Sequence, residues 1–285
     1  MLNVTQVLTS IVSECATEHF RALYPRVSGA QLDLAVTVAH TALAAIARSD
    51  ALYHNVEHTV QVTLVGLQIL KAKHEREHVV SPQIWSNTVI ALLCHDIGYV
   101  RGVCNADNSN GLATGLDSQT FRAVAGTSDA VLMPVHVNRG KRFIDEHFFD
   151  SELVDTGFVN ACIERTRFPV PDDPWYAQTD DLPGLVRAAD LIGQLSDPRY
   201  LNKLSAIFYE FEEIGFNNAL GYVRPGDLLT GYPTFFDKSV APYIGVGASY
   251  LERSAAGRDI LGHLYGNLAA ARARLPGDLS AVANG

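Results

Sequence analysis

Tyr53-His54-Asn55-Val56-Glu57-His58 is a polar, histidine-rich hexapeptide that opens a long apolar run through Val60, Val62, Leu64, Val65, Leu67, Ile69 and Leu70. Those residues recur at three- and four-residue steps, which predicts a helix over about 56–75. His54 and His58 stand four apart and share one face if the helix begins near His54. The charged run Lys71, Lys73, His74, Glu75, Arg76, Glu77, His78 then reads as solvated last turns.

Upstream, Leu2 to Tyr24 predicts a helix stopped by Pro25, and Ser28 can cap a second helix running to about Arg48. Downstream, Ser81-Pro82 combines a cap with proline at the first helical position. The helix it opens is almost wholly apolar and ends at Gly98, just after His95-Asp96. Residues 100–115 are rich in glycine and asparagine and read as a loop. Helices are predicted over 117–125, 127–147 and 151–167, and Phe168-Pro169-Val170-Pro171-Asp172-Asp173-Pro174 breaks the pattern. Leu182 to Leu195 predicts a helix carrying Asp190, and Ser196-Asp197-Pro198 opens another to about Gly215. Residues 216–233 read mostly as loop, 235–254 and 256–275 as helices, and 276–285 as a frayed tail. No alternating strand pattern and no repeat stands out, so the expectation is an all-α fold, one compact multi-helix domain over 1–285.

The chain has 285 residues, 47% of them hydrophobic, which suffices for a substantial core. A net charge of -9 argues against nucleic acid as partner, because a phosphate backbone needs a basic footprint. A small anionic substrate stays compatible, since a bound dication supplies local positive charge. Cys15, Cys94, Cys104 and Cys162 show no CxxC spacing, which points to a reducing compartment rather than a disulfide framework or thiolate zinc site. Neither a signal peptide nor a spanning helix is evident, so a cytoplasmic protein without a membrane partner is expected. The apolar helices leave room for a homodimer.

The chemistry-bearing residues are few. An arbitrary HxxxH pair is more often surface or core-satisfied histidine, but His54 and His58 are flanked by apolar residues, with Tyr53 and Asn55 adding hydrogen-bonding groups. His95-Asp96 closes a core helix, where a buried carboxylate needs a partner. Asp190 lies in a similarly apolar run, for which an ion pair with Arg187 is the ordinary explanation. His136 is a candidate pocket residue, and Arg139, Lys141 and Arg142 after it can serve a phosphate or simply face solvent. Imidazoles and carboxylates from separate helices suit zinc, iron or manganese, and carboxylate with water suits magnesium. With no thiolate in the set, an open site that activates water is expected rather than a closed structural one.

Tyr53-His54-Asn55-Val56-Glu57-His58, His95-Asp96 and Ala189-Asp190-Leu191 together resemble the HD superfamily of metal-dependent phosphohydrolases, most closely the catalytic domain of class I cyclic-nucleotide phosphodiesterases. The likeness covers about residues 50–250. It implies that His58, His95, Asp96 and Asp190 hold one divalent metal, with Asp96 bridging to a second (Mg, Mn, Zn or Fe). It also implies that a metal-activated water attacks phosphorus, that His54 protonates the leaving oxygen, and that Tyr53, Asn55 and His136 meet or position a small phosphorylated, nucleotide-like substrate. The chain departs from the pattern at Gly98, Tyr99 and Met133, where the family carries groups serving the second metal, and at Val240, where it carries a purine-recognising glutamine. Two alternatives accompany this reading. One is an HD-type di-iron oxygenase, for which His136 and His147 are the extra candidate ligands. The other is a metal- or nucleotide-binding module without turnover.

Overall fold

The computed structural model describes residues 2–275, and the tail expected over 276–285 lies outside them. The fold is all-α. Helix α1 (Val4–Leu23) and α2 (Ala30–Ile46) lead to α3 (Val56–Glu77) and α4 (Pro82–Cys94). After an irregular segment come α5 (His136–Phe148), α6 (Thr156–Arg165), α7 (Pro174–Ala177), α8 (Leu182–Leu195) and α9 (Tyr200–Glu213). The chain closes with α10 (Phe216–Leu220), α11 (Pro225–Phe235), α12 (Ala241–Leu251) and α13 (Ala255–Arg274). None of the described helices is long and apolar enough to cross a membrane.

Helix α3 is the axis of the core. Asn55 caps it by accepting from the backbone N–H of Glu57 at 3.0 Å and of His58 at 3.4 Å. Its buried residues run all round, from Val56 and Val60 to Gly66, Leu67 and Leu70, as suits a helix enclosed by others. It packs most extensively on α8 and also on α1 and α4. Glycines set these approaches. A Cβ on Gly193 would lie 2.8 Å from the Cα of Val62, and one on Gly66 would lie 2.3 Å from Leu92. Helix α4 is apolar from Val89 to Cys94, its Ser86, Asn87 and Thr88 side chains bond to backbone carbonyls, and the chain stays buried without a break from Trp85 to Val100. The core thereby receives His95 and Asp96 at a helix end rather than on a solvated face.

Three segments differ from what the sequence leads one to expect. Residues 117–125 are not a helix. A small antiparallel hairpin, β1 (Leu112–Ala113) with β2 (Thr120–Phe121), stands there instead. Its pairing is too short for an alternating pattern to show. The helix expected over 127–147 is split: a single tight turn spans Asp129–Leu132 and α5 starts only at His136, after Pro134. Residues 216–233 are more ordered than their glycines and prolines suggest. Pro225 starts α11, with Asp227 accepting from the backbone N–H of Arg224 at 3.1 Å.

The α3/α8 contact yields a test. Gly193→Val places side-chain carbons against the backbone of Val62, where neither helix can yield separately. Overpacking of this kind costs about 3 kcal/mol, and a lowered urea midpoint with unchanged helical circular dichroism is the expected result.

Candidate metal centre

Four sequence-predicted residues converge from three elements. His58 comes from the first turn of α3, His95 and Asp96 from the end of α4, and Asp190 from the middle of α8. His58 Nε2 lies 3.2 Å from Asp96 Oδ2 and 3.3 Å from Asp190 Oδ1. His95 Nε2 lies 3.2 Å from Asp96 Oδ2, 3.6 Å from Asp190 Oδ1 and 3.4 Å from His58 Nε2. Ligand-type atoms of His58, His95 and Asp190 all fall within 4.8 Å of one another.

Two details test whether these residues fit a cation. His95 Nδ1 donates to the carbonyl of Leu92 at 2.8 Å, so Nε2 is the nitrogen that faces the cluster and would bind a cation in exchange for its proton. Asp96 Oδ2 is buried and has no hydrogen-bond partner, although two imidazole nitrogens stand 3.2 Å away. A carboxylate oxygen is not left bare inside a core without cost. A cation in the middle of these nitrogen and oxygen donors satisfies it, so the residues fit a divalent metal.

The electrostatics agree. Burial opposes ionisation of Asp96 and Asp190, but the neighbouring histidines hold both carboxyls below the usual carboxylate range. Burial likewise disfavours charge on His95, and the Asp96 and Asp190 carboxylates overcome it and raise its pKa. The donor set is thus anionic overall and attracts cations.

His54 and Glu210 form a second unit beside the cluster. Glu210, 1% exposed on α9, takes the Nδ1 of His54 at 2.5 Å through Oε2 and accepts from the backbone N–H groups of Tyr53 and His54 through Oε1, at 2.6 and 3.2 Å. Burial disfavours charge on the His54 ring, but Glu210, with Asp96 and Asp190 behind it, lifts its pKa to about 9. Nothing local in the sequence gives Glu210 a role at the site. Its signal was a carboxylate in register with Ile207 on the apolar face of α9, which becomes meaningful only once the His54 segment lies over it.

The other expected residues divide. Tyr53 is buried and lines the cavity, its ring 5.4 Å from those of His54 and His58. His136 lines it too. Its Nδ1 donates to the carbonyl of Met133 at 2.5 Å and its Nε2 lies 3.8 Å from Asp96 Oδ1. Asn55 requires a correction: its side chain is committed to capping α3 and to the carbonyl of Leu52, and it does not line the cavity. His147 is exposed on α5, with Nδ1 on the carbonyl of Phe143, so it stands outside the site. Arg139 is also no phosphate ligand. It is wholly buried and clamps the 98–113 segment, donating to Asp107 and to the carbonyls of Gly98, Val100 and Ala113.

The departures from the HD-like pattern acquire physical reasons. Gly98 sits against α5, and a Cβ there would lie 1.9 Å from the carbonyl oxygen of His136, so an aspartate has no room. Tyr99 is buried between two histidines, stacked on His54 at 4.5 Å and on His136 at 4.6 Å between ring centroids. It spaces the two imidazoles. Met133 lines the cavity and supplies the carbonyl that orients His136. Val240 is fully buried and does not line this cavity, whereas Gln194, one turn beyond Asp190 on α8, brings an amide to the cavity wall.

The cavity over the cluster measures about 130 Å³, and a larger chamber of about 480 Å³ adjoins it. The two share Phe168, Gln194, Ile207, Phe211, Phe235 and Ser239. The larger chamber is mostly aromatic and aliphatic, with Tyr200, Leu204, Phe216 and Leu220 among its walls.

A family model described as Npun_R2479-like matches residues 2–273. The chain belongs to the Npun_R2479-like family. Every residue of the cluster, Glu210 included, falls within the matched span. That description names no activity, and no curated protein matches the sequence. The chemistry of this family member therefore rests on its geometry.

One wall of the cavity is held by charge. Arg167 lines it and is fixed by Glu164, which also takes Lys141 and accepts from the Tyr176 hydroxyl at 2.6 Å. Burial disfavours the Glu164 anion, but these three donors outweigh it and depress its pKa to about 2. A depressed folded-state pKa contributes stability above the unfolded value of ~4.3, and that stability is lost as pH falls toward the folded value. Between pH 5 and 2, Glu164→Gln is therefore expected to lose less stability than the wild type. Parallel denaturation curves across that interval would refute the assignment.

Proposed function

We propose that this protein is a metal-dependent phosphohydrolase, foremost a phosphodiesterase, acting on a (cyclic) nucleotide-like phosphate ester whose base would stack in the aromatic chamber. The observation that carries the reading is the unpartnered, buried Asp96 Oδ2 facing two imidazole nitrogens, with Asp190 alongside. His58, His95, Asp96 and Asp190 would hold the cation. A divalent metal there lowers the pKa of water and neutralises charge developing on a phosphoryl group. The resemblance to HD phosphohydrolases supports the same chemistry.

The chain's own residues supply the rest. Glu210 keeps the His54 ring charged, so at neutral pH its second nitrogen carries a proton to give. His54 keeps 18% exposure toward the cavity and stands against the rigid face of Tyr99, which suits a general acid for the leaving oxygen. Asp190, equally open, and buried Asp96 face the same space. The adjoining chamber excludes water from the non-reacting part of the substrate and offers the Gln194 amide for orientation. His136, at 3.8 Å from the second oxygen of Asp96, is the candidate partner for a second ion.

The test is a panel of cyclic nucleotides, linear nucleotides and other phosphomonoesters, run with manganese, magnesium, zinc and iron, with oxygen consumption followed in parallel. Hydrolysis of at least one ester is expected. Oxygen uptake without ester hydrolysis would replace the reading with di-iron chemistry. In the same assay, Asp96→Ala and His58→Ala should fold, lose bound metal by elemental analysis and lose turnover. A metal-free Asp96→Ala protein with full activity would sink the proposal. His54→Gln should retain metal while turnover drops ~10²- to 10⁴-fold, and Glu210→Gln should follow it in direction because it releases the His54 proton.

A further inference from the structure

Three arginines are buried in the described residues: Arg139, Arg165 and Arg187. A guanidinium inside a protein is costly unless its charge and its five N–H donors are met. Arg139 meets that demand fully, with both oxygens of Asp107 at 2.8 Å and three backbone carbonyls. Arg165 reaches both oxygens of Asp181, at 2.8 and 3.3 Å, and the carbonyl of Gln178. Arg187 is the exception. It is 2% exposed, it has no carboxylate partner among the described residues, and its Nε and Nη1 have no hydrogen-bond partner at all. Its one hydrogen bond is from Nη2 to the carbonyl of Gln178 at 3.2 Å, an acceptor that Arg165 already holds at 2.7 Å.

Position gives this exception meaning. Arg187 lines the cavity over the metal cluster, three residues before Asp190 on α8, with Thr166 and Arg167 in the same wall. The ring of Tyr243 lies 3.9 Å from its guanidinium, a cation–π contact that holds the group without meeting its N–H donors. The helical ion pair with Asp190 that the sequence suggests does not form. Asp190 is turned to the histidines instead. Burial, and then the charge of Arg165, bring the Arg187 pKa down to about 10, so it remains a cation at neutral pH.

We propose that Arg187 is a preformed oxyanion-binding group, which takes two non-reacting oxygens of a substrate phosphoryl group in a bidentate contact inside the metal cavity. A tetrahedral oxyanion supplies what Arg187 lacks, a negative charge and paired acceptors matched to the planar fork. The inference rests on the phosphohydrolase reading only for the identity of the anion, because the unmet buried cation is present whatever the chemistry.

The probe is inorganic phosphate, added to the full chain after metal removal with EDTA, with melting temperature and calorimetric titration as readouts. Phosphate should bind the wild type and raise its Tm. Arg187→Met should bind phosphate at least tenfold more weakly, and its phosphate-free Tm should equal or exceed that of the wild type, because an unpaired buried charge is gone. Arg187→Lys keeps the charge but not the fork and should bind with intermediate affinity. A wild-type Tm indifferent to phosphate would overturn the assignment, as would undiminished binding by Arg187→Met. A fall in the phosphate-free Tm of Arg187→Met would mark a structural arginine and overturn it equally. Should that variant not fold, undiminished binding by Arg187→Lys would have the same force. Because metal is absent throughout, a failure of the hydrolase reading leaves this experiment interpretable, and an active hydrolase indifferent to phosphate in it would remove Arg187 alone.

Discussion

The close approach of α3 and α8 at Val62 and Gly193 is the constraint on which the rest of the molecule depends. With no side chain on Gly193, the two backbones come within a distance that a single Cβ would forbid. His58 lies one turn before Val62 and Asp190 lies about one turn before Gly193, so the contact brings an imidazole and a carboxylate to 3.3 Å. Packing here is the cause and ligand geometry its consequence. Helix α4 completes the arrangement by ending against α3, with Gly66 admitting Leu92 and the chain delivering His95 and Asp96 just beyond.

A core built this way must answer for every charge it encloses. Most charges are answered within the protein. Arg139 is matched to Asp107, Arg165 to Asp181, and Glu210 to His54 and two backbone N–H groups. Two are not fully met: Asp96 Oδ2 has histidines beside it but no hydrogen-bond partner, and the guanidinium of Arg187 has no carboxylate and two unpartnered nitrogens among the described residues. One is an anion facing nitrogen donors, the other a cation on the wall of the same cavity. The proposed cation and oxyanion would each meet one of these groups of opposite sign in the same enclosed space, and each would remove a desolvation cost that the empty fold carries.

The irregular stretch between α4 and α5 illustrates how a departure from a familiar motif can be structural. Gly98 lets α5 start against the chain that carries Asp96, and Tyr99 fills the gap between His54 and His136 as a stacked spacer. Arg139 then ties the following loop back through Asp107 and the carbonyls at 98, 100 and 113. The residues that the resemblance marks as losses around a second metal are here the parts that hold two histidines at fixed spacing.

The all-α class was legible in the sequence because apolar residues at helical steps, Ser81-Pro82 and the caps are local signals, read by the backbone within a few residues. So was the list of His54, His58, His95, Asp96 and Asp190, since histidine and carboxylate stand out in apolar runs. Asn55 shows the limit: a polar residue beside two histidines looks like part of a site, yet as a cap it serves only the helix that carries them. The hairpin at 112–121 escaped because its pairing is too short for a period to register. Glu210, Gln194 and Arg187 acquired their places only in the tertiary structure. A helix face does not reveal which helix it will meet, and whether a buried charge finds a partner depends on residues distant in sequence. The chain alone determined which residues can do chemistry, and the packing of α3, α8 and α9 decided which of them meet and which are left facing the cavity.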